Sequence, residues 1–582
     1  MNVSLLLIIT LVGFGLGYKY YGGFMSKLFG EDDNNITPAI QYEDGVDYVP
    51  TKPLVVFSHQ FASIAGAGPI VGPTTAMLYG YMPVWMWVLF GAIFIGAVHD
   101  YTALFVSMRE KGKSVAEVSY HTMGKGGFIL FISFTIVMIV LVTSAFLGLT
   151  ATSLTSLVPL ENMNIASGET MLKTVMVDGV EMAKIGGIAS TSVIIISMCA
   201  PFIGFLLYKK KLNPLIAAAI AIILCVVSVM IGVANPLMLQ PKTWMIILTF
   251  YVILAAGIPV WVVLQPRDFT NSFMLYGGIA MLMLGILGGG FGGMTMSSPA
   301  FNVAGGTKIA GAIWPFLFIT VACGAISGFH SLVSGGTVSK QAMKESQAKT
   351  IGYGAMLLEG ILAVVVIITV SSGISFDTYM NIVYPAKGAS NPILAFSLSM
   401  GGMLHHGIGL PIAFGTVFGI LMVEGFVITT LDTAVRLNRY LFEELWGVIF
   451  KEVPALLKNF WFNSALSAGL MFYLGYTNAY TVIWPIFGSA NQLLAALVLI
   501  TVSVWLASRG KKFSFTMIPA VFMMVTTLMA LWTLLTTRYL PKANYPLSLT
   551  AILLMALSVG VIYLAVKKIS EAKKKADTDI KA

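Results

Sequence analysis

Stretches of about twenty apolar residues recur along the whole of this chain, and its charged residues fall between them. An α-helix needs about 20 such residues to cross ~30 Å of hydrocarbon. Inside hydrocarbon every backbone N–H and C=O must find its partner within the protein, which leaves helices as the natural spanning element. Bounded by charge or turn residues, the runs are 2–20, 54–79, 82–107, 127–150, 187–208, 213–234, 243–264, 273–291, 309–329, 351–372, 410–432, 460–477, 480–507, 514–535 and 546–566, fifteen in all. Charged residues make up 10% of the chain and hydrophobic ones 57%, whereas a soluble domain is roughly a quarter charged. The fold class is therefore all-α, a polytopic membrane helix bundle, with 1–582 forming a single transmembrane domain.

The net charge of +9 argues against a nucleic-acid partner, because the basic residues sit at the ends of runs, as the positive-inside rule expects. Arg109, Lys111 and Lys113 follow the third run, Lys209, Lys210 and Lys211 the fifth, and Lys340, Lys344 and Lys349 the ninth. Arg436 and Arg439 follow the eleventh, and Arg509, Lys511 and Lys512 the thirteenth. All follow odd-numbered runs, so that side is cytoplasmic, with the N-terminus outside and the C-terminus inside. The loops 152–185, with Glu161, Glu169, Asp178 and Glu181, and 376–391 then fall outside. The stretch 437–452 reads as an amphipathic helix on the cytoplasmic surface, and 567–582 as a basic cytoplasmic tail. The first run lacks a basic leader and an Ala-x-Ala site, and reads as a retained helix. Cys199, Cys225 and Cys323 lie inside apolar runs and are expected as free thiols. No Gly-x-x-x-x-Gly-Lys-Ser/Thr sequence offers a phosphate cradle, which speaks against a nucleotide-driven pump.

Polar interruptions within the runs mark where chemistry can sit. The stretch 59–73 carries Gly66, Gly68, Pro69, Gly72 and Pro73 within eight positions, a density that opposes regular helix. A break there exposes carbonyls to a cation and a half-helix N-terminus to an anion; the competing reading is close helix packing through small residues. Stretches 327–337 and 484–492 share this character, with Ser327, His330, Ser334, Thr337, Asn491 and Gln492. Stretch 256–261 is a milder interruption, and Gln265-Pro-Arg-Asp268 after it reads as an interfacial anchor. Ionisable residues within runs are costly and functional by default: His59, His99, Asp100, Glu359, Glu424 and Asp432. Acids taken out of water favour their protonated form, which suits reversible proton binding; the competing role is to partner another buried polar group. A metal or haem site is open at His59, His99 and His330, although no pair stands at His-x-x-x-His spacing and the adjacent His405 and His406 cannot share a helix face.

These motifs resemble the carbon starvation protein CstA family of bacterial inner-membrane transporters. The similarity is carried by 44–51, 59–73, 96–100, 259–261 with 265–268, 315–320, 322–330, 334–337, 351–359, 431–436 and 484–492, in family order over most of the chain. Gln60 stands where the family often has a second histidine, and His99 where it often has glutamine, so a strict His-His pair is absent. The chain resembles the shorter members. The resemblance implies import of peptides or pyruvate-like carboxylates during nutrient limitation, by a protein that is not an enzyme. It also implies an amino acid–polyamine–organocation (LeuT-like) fold with inverted repeats and discontinuous helices, in the inner membrane. On that basis His59, Gln60, Ser63, Gly66, Gly68, Pro69, Gly72, Ser327, His330, Ser334, Thr337, Asn491 and Gln492 are the candidate substrate-binding residues. Asp100, Glu359, Glu424 and Asp432 are the candidates for coupling to a proton or Na⁺ gradient. Two rivals stand beside this expectation, an intramembrane haem- or metal-dependent redox protein and a nutrient-binding membrane sensor.

Overall fold

A computed structural model of the chain describes residues 1–44, 48–166, 171–210, 212–259 and 262–581, without the side chains of 208, 214, 215, 573 and 575–581. Gly45 to Asp47 of the first family stretch, Glu169, Lys211, Val260 and Trp261 lie outside the described residues. Eleven helices among those described are long and apolar enough to cross a membrane. Two further spans are pairs broken by a bend, Pro53–Ile64 with Gly68–Tyr79 at 45° and Val303–Ala310 with Ile313–Thr320 at 79°. Pro241–Gly257 is a shorter apolar helix. Each of the fifteen runs thus contains helix, and the chain is a multi-pass membrane protein.

Three departures from the sequence reading have physical causes. Helix Pro392–Ile408 falls between the tenth and eleventh apolar runs, and Pro392 to Leu404 are all buried. Ser397, Ser399, Gly401 and Gly402 interrupt its apolar pattern; the serines donate to Ile393 and Ala395 carbonyls at 2.7 and 2.6 Å. The glycines admit neighbours, since a Cβ on Gly401 would meet the Ile412 carbonyl and one on Gly402 the Gly373 carbonyl. This extra helix breaks the odd–even alternation behind the sided placement of the later basic clusters. Second, 437–449 is no separate surface helix but the end of Ile412–Ile449, with Asn438, Phe442 and Leu445 buried. Arg436, expected in a cytoplasmic cluster, is buried and donates to the carbonyls of Ala255 and Ile258, each at 2.5 Å, closing the C-terminus of Pro241–Gly257. Third, the loop 152–185 carries a small antiparallel sheet, Val158–Pro159, Thr174–Val177 and Val180–Ala183, with the last strand in the middle. Asp178 and Gly179 join two of its strands with φ of 48° and 81°, as a type I′ hairpin turn requires.

The chain divides into two compact units. One comprises Met1–Ile8, Ile139–Phe301 and Val365–Ile483; helix Ile412–Ile449 is its centre, packed by Ile185–Gly204, Leu264–Phe291 and Pro392–Ile408. The other comprises Ile9–Met138, Asn302–Val364 and Trp484–Ala582. Both broken pairs belong to this second unit.

Candidate functional site

In the second unit, helix Pro53–Ile64 stops where Ala65 leaves helical conformation at ψ 55°, and helix resumes at Gly68. The unwound part is therefore 65–67, shorter than the expected stretch 66–73. Pro69 stands in the first turn of the second half, where its missing N–H costs nothing. The glycines here serve contact. A Cβ on Gly68 would strike the Cys323 side chain, and one on Gly72 would lie 2.8 Å from the Thr320 carbonyl. Both readings of the motif hold, a break at 65–67 and close packing after it.

The ninth run behaves likewise. After Thr320 the chain is non-helical until helix Phe329–Gly336 begins. Irregular backbone at this depth needs partners from protein, and three side chains of the second unit supply them. Gln492 Nε2 donates to the Phe318 carbonyl at 2.7 Å, Trp87 Nε1 to that of Val321 at 3.2 Å, and Trp484 Nε1 to that of Thr320 at 3.4 Å. Asn491 caps the following helix: its Oδ1 accepts the Phe329 N–H at 3.0 Å while its Nδ2 donates to Ser327 Oγ at 3.0 Å. Asn491 and Gln492, expected as substrate contacts, thus hold the backbone that carries the site.

Helix Phe329–Gly336 gathers the remaining candidates. Ser334 accepts a hydrogen bond from Gln60 Nε2 at 3.0 Å, tying this helix to the first half of the broken 53–79 pair. Gln60 Oε1 is buried and without a partner. One turn earlier, His330 Nδ1 faces Asp100 Oδ2 at 2.8 Å, and His99 Nδ1 faces Asp100 Oδ1 at 2.7 Å. His330 Nε2 lies 3.3 Å from Glu359 Oε2 without a hydrogen bond of regular geometry. The result is a chain, His99–Asp100–His330–Glu359, whose four residues are all fully buried. A carboxylate only accepts, so wherever Asp100 is ionised each histidine meets it through an N–H. Two glycines allow the convergence. A Cβ on Gly96 would run into the Ala325 carbonyl, and one on Gly352 would come 2.8 Å from Tyr101 Cα and 3.0 Å from the Asp100 carbonyl. Glu359 stands two turns after Gly352 on the same face.

Other candidates fall outside this cluster. His59 and Thr337 are exposed, and Ser63 is half-buried at the edge of the break. The proposed metal set of His59, His99 and His330 does not converge; among the described residues no three His, Cys, Asp or Glu side chains are placed to hold a metal ion. Two of those histidines are instead spread over opposite oxygens of Asp100.

The first unit holds the other two acids. Asp432 receives Arg267 in a fork, Nη1 to Oδ2 at 2.6 Å and Nη2 to Oδ1 at 3.2 Å, and also the Tyr251 hydroxyl at 2.9 Å. Arg267 is 1% exposed, so the expected interfacial anchor at 265–268 is in fact a buried counter-ion. The fork gives Asp432 a paired guanidinium, a partner that the other candidate acids do not have. Arg267 is the residue that sequence reasoning missed; the signal was an acid, Asp432, with no cation in its own run. Glu424, two turns from Asp432, is fully buried with both oxygens unpartnered.

Membrane-length helices, two broken spans and ionisable residues shut away from water define a polytopic α-helical membrane protein with a charged interior. A family model described as carbon starvation protein CstA matches residues 2–392 and 385–530. The chain belongs to the carbon starvation protein CstA family. It is 32% identical to the peptide transporter CstA of Bacillus subtilis (strain 168), over 98% of this chain and 97% of that one. It is 31% identical to the peptide transporter CstA of Campylobacter jejuni, over 88% and 77%. Identity to the pyruvate/proton symporter BtsT of Escherichia coli (strain K12) is 28%, over 89% and 79%. Among solved structures, MhsT in complex with L-phenylalanine overlaps 88% of this chain and 99% of its own at 13% identity and a TM-score of 0.35, too loose an overlap to assign connectivity.

Proposed function

We propose that this chain is a secondary transporter that brings peptides or small carboxylates such as pyruvate across the inner membrane by alternating access, driven by protons. The observation that carries the reading is the buried chain His99–Asp100–His330–Glu359, joined through one short helix to a broken span. Relatives named as peptide transporters and as a pyruvate/proton symporter support the substrate class and the ion. Broken spans surrounding a midplane site are the arrangement that inverted-repeat transporters use, and the basic run at 567–575 favours a cytoplasmic C-terminus.

In this reading the break at 65–67 receives the substrate, with Gln60 Oε1 as the free acceptor for a substrate N–H or O–H. Asp100 stays ionised between the two histidines, while Glu359, which has no hydrogen bond of its own, gains and loses the proton. A neutral Glu359 lets His330 settle on Asp100; an ionised one competes for His330 Nε2, 3.3 Å away. Because His330 and Ser334 share a helix, that competition is felt at Gln60. Counterflow into proteoliposomes with radiolabelled peptides, amino acids and keto acids tests the function. Exchange of at least one substrate is expected, and exchange of none contradicts transport.

A further inference from the structure

Of the two buried candidate acids in the first unit, Asp432 has Arg267 and Glu424 has no such partner. Glu424 is fully buried on helix Ile412–Ile449, and neither carboxylate oxygen has a partner. Ser153, at the C-terminal end of helix Val115–Ser153, sets its hydroxyl beside the carboxyl without regular hydrogen-bond geometry. Thr150, one turn back, is also buried with an unpartnered hydroxyl. Among the described residues no charged side chain is paired with Glu424. Residues 139–153 and Ile185–Gly204 carry none. Arg267 and Asp268 on Leu264–Phe291 are engaged with Asp432 and with each other. His405 and His406 on Pro392–Ile408 and Lys242 on Pro241–Gly257 are exposed at helix ends. A carboxylate ion so placed would stand uncompensated in the bilayer, a cost that a proton removes.

A cleft opens at the same helix end. Thr152, Thr155 and Ser156, flanking Ser153, line this cleft of about 440 Å³ together with Asn391 and Lys387. We propose that Glu424 is a second proton site, separate from the Asp100 chain, which exchanges with this cleft by way of the Ser153 hydroxyl. Its use in coupling rests on the transport reading; its protonation does not.

Infrared difference spectroscopy on the protein in liposomes reads the carboxyl directly. A protonated-carboxyl C=O band is expected that shifts in D₂O, is lost in Glu424→Gln and persists in Glu359→Gln. Ser153→Ala, which keeps the acid, is expected to slow the D₂O shift severalfold. An unchanged spectrum in Glu424→Gln overturns the proposal, as does unchanged exchange in a folded Ser153→Ala. Loss of the band on adding Na⁺ at constant pH overturns it too, since the site would then take sodium. Counterflow on the same liposomes reports the transport reading separately: a wild type with the band and no counterflow retires transport and leaves the proton site standing.

Discussion

Asp432 and Glu424 sit two turns apart on one helix, and sequence treats them alike. Their partners separate them: Asp432 has Arg267 and Tyr251, while both Glu424 oxygens are unpartnered. Breaking a buried pair by removing one partner costs about 3–5 kcal/mol, because the remaining charge is stranded. Asp432→Asn is therefore expected to lower the thermal midpoint in detergent markedly. The double variant Arg267→Met with Asp432→Leu should recover much of that loss, since neither charge is then buried alone; a double variant as unstable as the single would show that the pair does more than neutralise itself. The acids were legible in sequence, because a charge inside an apolar run stands out. Arg267 was not, because it lies near the edge of a run, where an anchor and a buried counter-ion look the same. Which nitrogen meets which oxygen in the Asp100 chain is tertiary information that no spacing encodes.

At the scale of elements, the Gly-Pro stretch at 66–73 showed where a span breaks but overstated the length of the break. Pro69 and Pro73 are accommodated in helix, and Gly68 and Gly72 are small because Cys323 and Thr320 press against them. The same rule makes Gly96 irreplaceable. Gly96→Val is expected to leave no monodisperse protein after purification, since its side chain would enter the Ala325 carbonyl. Gly15→Ala, where nothing lies within 4 Å, should stay within about 0.5 kcal/mol of wild type by thermal melt. Asn491 and Gln492 were visible as polar residues in an apolar run, and both hold irregular backbone. Asn491→Leu strands the Phe329 N–H and is expected to cost about 1–3 kcal/mol. It should also reduce counterflow, because His330 is the next residue of the helix it caps. Normal counterflow in this variant would mean that the cap does not position the site. Helix Pro392–Ile408 escaped the sequence reading because serines and glycines that face other helices look, in one dimension, like a loop.

For the whole molecule, the runs were read correctly because the bilayer sets their length, while sidedness depended on counting every helix and lost its footing with one more. The proposed function rests on how the second unit joins a broken span to buried acids. In the proposed mechanism Glu359, through His330, couples a proton to the substrate at the break. The direct measurement is substrate accumulation in proteoliposomes under an imposed pH gradient, beside counterflow without one. Wild type should accumulate substrate only when the outside is acidic, and Glu359→Gln should keep counterflow while losing the accumulation. Accumulation in Glu359→Gln that still follows the pH gradient, or a wild type indifferent to it, would contradict the account.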